Sequence, residues 1–329
     1  MAMTDPRPTM SAPDDDPYLW LEDIQGERAL TWVETQNKKT LKRMAGAAFD
    51  QDRDELAAIF DSDAKIPYIW RLDCKVYNFW KNATNTHGLW RRTTLASYRT
   101  ENPDWETVLD IDALRKTEGE DWVYHGSAMM KDGSGICMLR LSRGGGDAVV
   151  LREFDVNKQA FVENGFELEE AKGSVAWIDG DTLLVSAALG DDAATRSGYA
   201  RTVRVWKRGT PFEQAEIVFT TAPENMAVWG QIDHTVHPPR LWVLEQLDFQ
   251  NCRFWVAGHD DKFVALDLPT SMFADAHGDH LALSNRDDWS VEGNDYRAGS
   301  VLTCSLEDVL KGQPRFVSLF TPTPRRVRR

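Results

Sequence analysis

Apolar residues recur at helical spacing between residues 17 and 65. Trp20, Leu21 and Ile24 share one face of a short turn or helix. Leu30, Val33 and Leu41, with Trp32 beside them, mark a helix over 26–44, and Leu56, Ile59 and Phe60 mark another over 51–60. Helices this short draw most of their stability from packing an amphipathic face, so these stripes need a surface to cover them. Pro67 marks a change of period. Beyond it, hydrophobic and polar positions alternate every second residue, the signature of half-buried strands.

The alternating segments fall into five groups separated by turn sequence. The first holds strands near 68–72, 75–80, 88–95 and 105–110, and the second near 122–129, 135–142 and 148–155. A third reads 174–178, 182–189, 202–208 and 216–220, and a fourth 228–235, 241–247, 253–258 and 263–268. The fifth reads 281–285, 300–305 and 316–320, with a short helix near 306–310. Sequential strands joined by short turns, in units of this size, match the blades of a β-propeller. The fold expected is mainly β: an incomplete, about five-bladed β-propeller behind a short α-helical N-terminal arm. Its parts are a disordered tail at 1–16, the arm at 17–65 and a partial propeller at 66–329. Its blades lie near 66–110, 121–160, 174–221, 228–268 and 279–321. An irregular pair of β-sandwiches accounts for the same strand count, because the units do not repeat in sequence.

Composition narrows the function classes. The chain has 329 residues, 13 of them tryptophan, a formal charge of −14 and a pI near 5.0. That charge argues against nucleic acid or an acidic membrane as partner. No window is apolar for long enough to span a bilayer, and the polar start lacks the apolar core of a signal peptide, so the expected location is cytoplasmic. Cys74, Cys137, Cys252 and Cys304 are scattered, with no paired spacing, and read as reduced thiols. The sequon Asn82-Ala83-Thr84 carries no weight without secretion.

A resemblance then becomes specific. The stretch Asp16-Pro17-Tyr18-Leu19-Trp20-Leu21-Glu22-Asp23, followed by Gly26-Glu27-Arg28-Ala29-Leu30, Trp32-Val33 and Gln36-Asn37, resembles the N-terminal arm of the prolyl oligopeptidase family of serine peptidases. Val76-Tyr77-Asn78-Phe79-Trp80, Gly88-Leu89-Trp90-Arg91-Arg92-Thr93-Thr94 and Arg208-Gly209-Thr210-Pro211 are similar to bacterial members, in the same order. The resemblance runs from Asp16 to Arg325. It implies a helical arm and a seven-bladed propeller over an α/β-hydrolase domain that carries the Ser, Asp and His of the triad. It also implies short peptides as substrates, cut after proline in the best-known members. With five units counted, the expectation is a chain that stops before the remaining blades and the catalytic domain. That domain would then be a partner in cis or in trans.

Candidate chemistry agrees with that expectation. A nucleophilic serine of this kind needs a strained strand-to-helix turn with small flanking residues, hence G-x-S-x-G. Ser134 lies in Lys131-Asp132-Gly133-Ser134-Gly135, with Asp where the first Gly belongs, and Ser127 and Ser174 have Gly neighbours but no elbow. His234 with His237, and His277 with His280, have a spacing of three, but both pairs lie in turn sequence. Asp275 and Asp279 stand near the second pair without completing a ligand set. His87 and His125 stand alone. Asp14-Asp15-Asp16, Asp191-Asp192 and Asp287-Asp288 read as solvated turns. Gly144-Gly145-Gly146 precedes a strand rather than a helix and reads as a hairpin loop, not a phosphate cradle. Arg325-Arg326-Val327-Arg328-Arg329 is a short basic tail. No catalytic, metal or cofactor residue is assigned, and the chain alone is expected to be inactive. A non-catalytic propeller that binds peptides or acts as a scaffold is the alternative, and a split enzyme completed by a second chain is a third reading. An open stack also predicts raw terminal sheet faces and a poorly soluble or partly unfolded product.

Overall fold

The computed structural model describes residues 16–23, 25–66, 68–72, 74–258 and 262–323. The tail before Asp16, Ile24, Pro67 and the basic terminus at 325–329 lie outside the described residues. The chain divides into two compact units, Met1–Ile66 with Asn82–Thr84, and Pro67–Lys81 with Asn85–Arg329.

The first unit is helical. A 3-10 turn at Leu19–Glu22 precedes α1 (Glu27–Met44) and α2 (Ala47–Asp61). Glu27 in the first turn of α1 and Lys42 and Arg43 in its last complement the helix dipole. Arg28 lies 3.9 Å over the Trp20 ring, and Trp20 meets Trp32 edge-on at 6.3 Å. Leu30, Val33, Leu41, Leu56, Ile59 and Phe60 stay exposed, so the periodic stripes form but are not covered within the described residues.

In the second unit, the described strands form five antiparallel sheets and one small hairpin. Sheet one holds β1 (Ile69–Leu72), β2 (Lys75–Trp80), β3 (Leu89–Thr94) and β4 (Glu106–Asp110), with α3 (Leu95–Tyr98) after β3. The helix α4 (Ile111–Glu118) leads on, capped by the Asp110 carboxylate on the Ala113 N–H and closed by left-handed Gly119. Sheet two holds β5 (Trp122–Met129), β6 (Ile136–Arg143), β7 (Val149–Asp155), β8 (Ala160–Phe161) and β9 (Glu167–Ala171). Sheet three is β10 (Gly173–Asp179), β11 (Thr182–Ala187), β12 (Thr202–Lys207) and β13 (Glu216–Thr220). Sheet four is β14 (Ala227–Asp233), β15 (Arg240–Gln246), β16 (Cys252–Ala257) and β17 (Phe263–Ala265). Sheet five pairs β18 (Met272–His277), β19 (His280–Asn285), β22 (Val301–Ser305) and β23 (Val317–Phe320). The hairpin β20 (Trp289–Val291) and β21 (Asn294–Tyr296) is inserted before β22, and α5 (Leu306–Leu310) follows it.

The sheets stack face to face as propeller blades do. Four core clusters join sheet one to two, two to three, three to four and four to five. Alternation in single strands explains this. Cys137, Leu139 and Leu141 of β6 pack toward sheet one, while Met138 packs toward sheet three. Leu183 and Val185 of β11 face sheet two, and Leu184 between them faces sheet four. A strand buried on both faces reads as a nearly continuous apolar run, and a run such as Leu183-Leu184-Val185 is that signature. Sheet five is one-sided: Met272, Ala274, Leu281 and Leu283 are buried, whereas Phe273, Val317 and Leu319 are exposed.

Three strands and a hairpin escaped the sequence pattern. The second unit, expected to hold three strands and end near 160, also contains β8 and β9, and β9 pairs with β7. In β9 only Leu168 and Ala171 are buried, and the rest is glutamate, a residue depleted in strands. The fifth sheet begins at Met272, not near 279, because β18 reads Met-Phe-Ala-Asp-Ala-His and alternates through small alanines. The inserted hairpin was likewise unexpected.

Polar clasps accompany each apolar junction. Arg92 holds Glu106 through two hydrogen bonds of 2.7 and 2.9 Å and reaches Asn157 of sheet two at 3.0 Å. Glu153 on β7, buried, takes the Arg208 fork at 2.8 and 3.1 Å and the Phe166 N–H at 2.8 Å. Buried Glu245 accepts from Thr221, Asn225 and the Trp255 indole. Gly278 donates to the Thr235 hydroxyl at 2.7 Å between sheets four and five. Each buried carboxylate is therefore paired or hydrogen-bonded, as burial of charge demands.

Candidate functional site

The first strands of the sheets approach one another, with β10 against both β5 and β14. Their C-terminal ends assemble a mixed polar cleft of about 190 Å³. Lys131 comes from just beyond β5, His234 from the turn after β14, and Asp275 from β18, over a floor of Trp242, Phe254 and Ala274. Trp242 is 5% exposed, and its indole N–H is buried without a hydrogen-bond partner. Asp233 beside it is tied to Arg240 at 3.4 Å.

Electrostatics keep this cleft hydrogen-bonding rather than strongly charged. Burial pushes the His234 imidazole below its ordinary value of 6.5, and Lys131 adds to the effect. Asp233 and a backbone hydrogen bond at Trp177 offset part of it. His234 is thus neutral at pH 7, one ring nitrogen a donor and the other an acceptor. The cleft offers an ammonium, an imidazole and carboxylates, groups that recognise the polar atoms of a peptide, with the Trp242 indole N–H buried beside them. Among the described residues that line it there is no serine or cysteine.

The sign of the pH dependence follows. Because the folded imidazole binds its proton less readily than the unfolded one, stability is full above pH 6.5 and falls as pH drops through that value toward the folded pKa. Urea midpoints at pH 7.5 and pH 5.5 are expected to differ more for the parent chain than for His234→Gln. Equal differences in the two proteins would remove His234 as a source of the slope.

The residues singled out in the sequence are dispersed. Ser127 lies within β5 and Ser174 within β10. Ser134 lies in the β5–β6 turn, where its N–H donates to the Asp132 carboxylate at 2.9 Å. None of the three is on a strand-to-helix turn. His277 and His280 face each other across the β18–β19 hairpin, while His234 and His237 share the loop after β14. Among the described residues no three His, Cys, Asp or Glu side chains form a group able to hold a metal ion. His87 pairs with Asp112 at 2.8 Å. Burial would raise the Asp112 carboxyl, but the His87 ring and the backbone N–H groups of Gly88 and His87 outweigh it and hold it below its ordinary value. Gly144 and Gly145, both left-handed, make the β6–β7 loop that the sequence predicts. Asp288 accepts from the Ala298 N–H at 2.7 Å, as a turn residue. All four cysteines are free, and burial raises the thiols of Cys137, Cys252 and, to about 11, Cys304, so these three are poor nucleophiles at neutral pH. The sequence reading missed the grouping of Lys131 and His234 with Trp242. The one local signal was a Lys-Asp-Gly turn closing an alternating strand.

Comparison with known proteins bears on this geometry. Residues 8–235 match the family described as prolyl oligopeptidase, N-terminal beta-propeller domain. The chain is 34% identical, over 97% of its length, to the uncharacterized peptidase y4nA of Sinorhizobium fredii and covers 46% of that protein. It is 28% identical over 94% of its length to the uncharacterized peptidase RP174 of Rickettsia prowazekii, covering 45% of it. Among solved structures, a post-proline cleaving enzyme from Rickettsia typhi superposes with a TM-score of 0.83 at 29% identity, over 92% of this chain and 47% of that one. The chain thus spans about half the length of the relatives it matches. Among the described residues, no helix is long and apolar enough to cross a membrane.

Proposed function

We propose a function from one premise: this chain belongs to the prolyl oligopeptidase family, as its N-terminal propeller portion. The portion helps admit short peptides to a serine peptidase centre carried by the other half of a longer polypeptide. The scissile bond follows proline. The working location is the cytoplasm, and the partner is the catalytic domain, in cis or supplied in trans.

One observation carries this reading. The likeness to the post-proline cleaving enzyme extends over nearly the whole of this chain but under half of that enzyme. The chemistry of the described residues supports it. Ser127, Ser134 and Ser174 sit in strands or a hairpin turn, where no backbone strain presents the hydroxyl and no helix N-terminus follows to stabilise an oxyanion. The cleft at Lys131 and His234 supplies peptide-binding groups without a nucleophile, as expected of a part that positions rather than cuts.

The test is hydrolysis of a fluorogenic peptide with proline before the scissile bond. The 329-residue chain is expected to show no turnover above buffer. A polypeptide of the relatives' full length, beginning with this sequence, is expected to cleave after proline. Turnover by the chain alone, abolished by replacing a single serine with alanine, would defeat the proposal.

A further inference from the structure

A second cleft lies between sheets one and two. It is open, of about 580 Å³, and walled by Trp70, Phe79 and Tyr124, with Arg140 and Ser127 at its polar side. Phe79 stacks on Tyr124 at 4.7 Å, so the wall is rigid aromatic surface. Trp70 remains 37% exposed at the mouth.

The backbone is shaped around the arginine. Tyr124 pairs with Leu141 and Ser127 with Leu139, so two residues of β5, His125 and Gly126, stand opposite the single residue Arg140 of β6. This is a β-bulge, a device that re-aims side chains. Gly126 has φ +101°, and a Cβ there would lie 3.0 Å from Arg140 Nη2. Glycine at this position both permits the bulge and leaves room for the guanidinium.

Among the described residues that guanidinium has no counter-charge. Arg140 is half-buried, its Nε is shielded from solvent, and this Nε has no hydrogen-bond partner. Among the described residues no carboxylate lines the cleft, although the chain as a whole carries a net charge of −14. Four other partly buried arginines are paired, Arg92 with Glu106, Arg152 with Glu118, Arg208 with Glu153 and Arg240 with Asp233; Arg204 also has an unpartnered Nε but lies 5.3 Å over the Phe212 ring, whereas Arg140 opens on a cleft. A desolvated cation left without an anion is costly and marks a place where an anion is missing. The Tyr124 hydroxyl, raised in pKa by burial, stays protonated as a donor and is held only loosely, 3.4 Å from the Ser127 hydroxyl.

We propose that this cleft is a carboxylate-binding site, in which the Arg140 fork and the Tyr124 hydroxyl take a peptide carboxylate while Phe79, Tyr124 and Trp70 hold the adjoining apolar side chain. Guanidinium matches carboxylate in planar, two-pronged geometry, and the aromatic wall selects for an apolar neighbour. The site names one end of a peptide and so extends the peptide reading above, but it rests on Arg140 and needs no turnover. The carboxylate is either the C-terminal one or a Glu side chain.

Titration calorimetry of the whole chain distinguishes these sources with three probes: N-acetyl-phenylalanine, its C-terminal amide, and N-acetyl-glutamyl-phenylalanine amide. The acid is expected to bind at least about tenfold more tightly than its amide. If the glutamyl amide equals the acid, a side-chain carboxylate suffices; if it binds like the plain amide, the site reads the C-terminus. Arg140→Gln should weaken the acid about tenfold or more, Arg140→Lys less, and Tyr124→Phe about threefold to tenfold, all without effect on the plain amide. Tyr124→Phe keeps the aromatic wall and guards against a folding defect in the arginine variants. Equal binding of acid and amide, no heat from any probe up to about 10 mM, or an unaltered acid affinity in Arg140→Gln would each overturn the proposal.

Discussion

Replacing Arg208 with alanine is expected to lower stability by about 3–5 kcal/mol, the usual cost of stranding one member of a buried ion pair. Its partner Glu153 has a side chain only 3% exposed, so water cannot replace the lost guanidinium. With Arg208 gone, Glu153 keeps the Phe166 N–H as a remaining donor. The same guanidinium also donates to the Gly180 carbonyl at 2.6 Å, pairs with Asp181 at 2.9 Å and lies 4.6 Å over the Phe166 ring. It thus ties sheet three to sheet two by charge, hydrogen bond and ring contact together. Arg208→Lys, which keeps the charge but loses the fork, should lose less. The double variant Glu153→Gln with Arg208→Met should also lose less than Arg208→Ala alone, because no bare charge is then buried. Urea denaturation of the set at one pH measures this. A double variant as unstable as the single one would show that packing, not the stranded carboxylate, sets the cost.

The second large effect is expected at Trp90. Its side chain is fully buried in the core shared by sheets one and two, with ring centroids 5.8 Å from Tyr77, 5.7 Å from Tyr124 and 6.3 Å from Phe154. Trp90→Ala removes the centre of that aromatic group and leaves a cavity, a change worth about 3–5 kcal/mol. Trp90→Phe should cost much less. The indole N–H is buried without a partner, and such an orphan donor costs roughly 1–3 kcal/mol that phenylalanine does not incur. Relief of that penalty offsets part of the lost volume. Urea midpoints of the two variants test it: equal losses would mean that the unpartnered N–H carries no penalty.

The elements themselves were legible to very different degrees. Sheets three and four were readable because strands such as Thr182–Ala187 and Arg240–Gln246 carry short apolar runs, Leu183-Leu184-Val185 and Leu241-Trp242-Val243-Leu244, bounded by turn residues. The strands β9 and β18 were not, because glutamate and alanine carry little strand preference and owe their pairing to a neighbour already in place. The short helix expected near 306–310 forms as α5, and the structure adds its cap, the Ser305 hydroxyl accepting from the Asp308 N–H. Phe273, Val317 and Leu319 of sheet five are exposed, and that exposure is a property of the sheet and not of any one strand.

Period and order along the chain determined much. Residues 27–61 became helices because their apolar positions recur every three or four residues, and the remainder became consecutive antiparallel sheets because alternation and turn residues alternate in step. Family membership, too, was readable from short matches in the right order. Only the tertiary structure decided which charges meet. Lys131, His234 and Asp275 are far apart in sequence, as are Glu153 and Arg208, and no local pattern encodes that they converge. The reason is physical: hydrophobic periodicity reports which face of an element is buried, while pairing across blades depends on stacking distance and sheet twist, which belong to the assembled fold. Arg140 is the clearest case, since the cleft it shares with Trp70, Phe79 and Tyr124 exists only once sheets one and two are assembled and β5 bulges against β6.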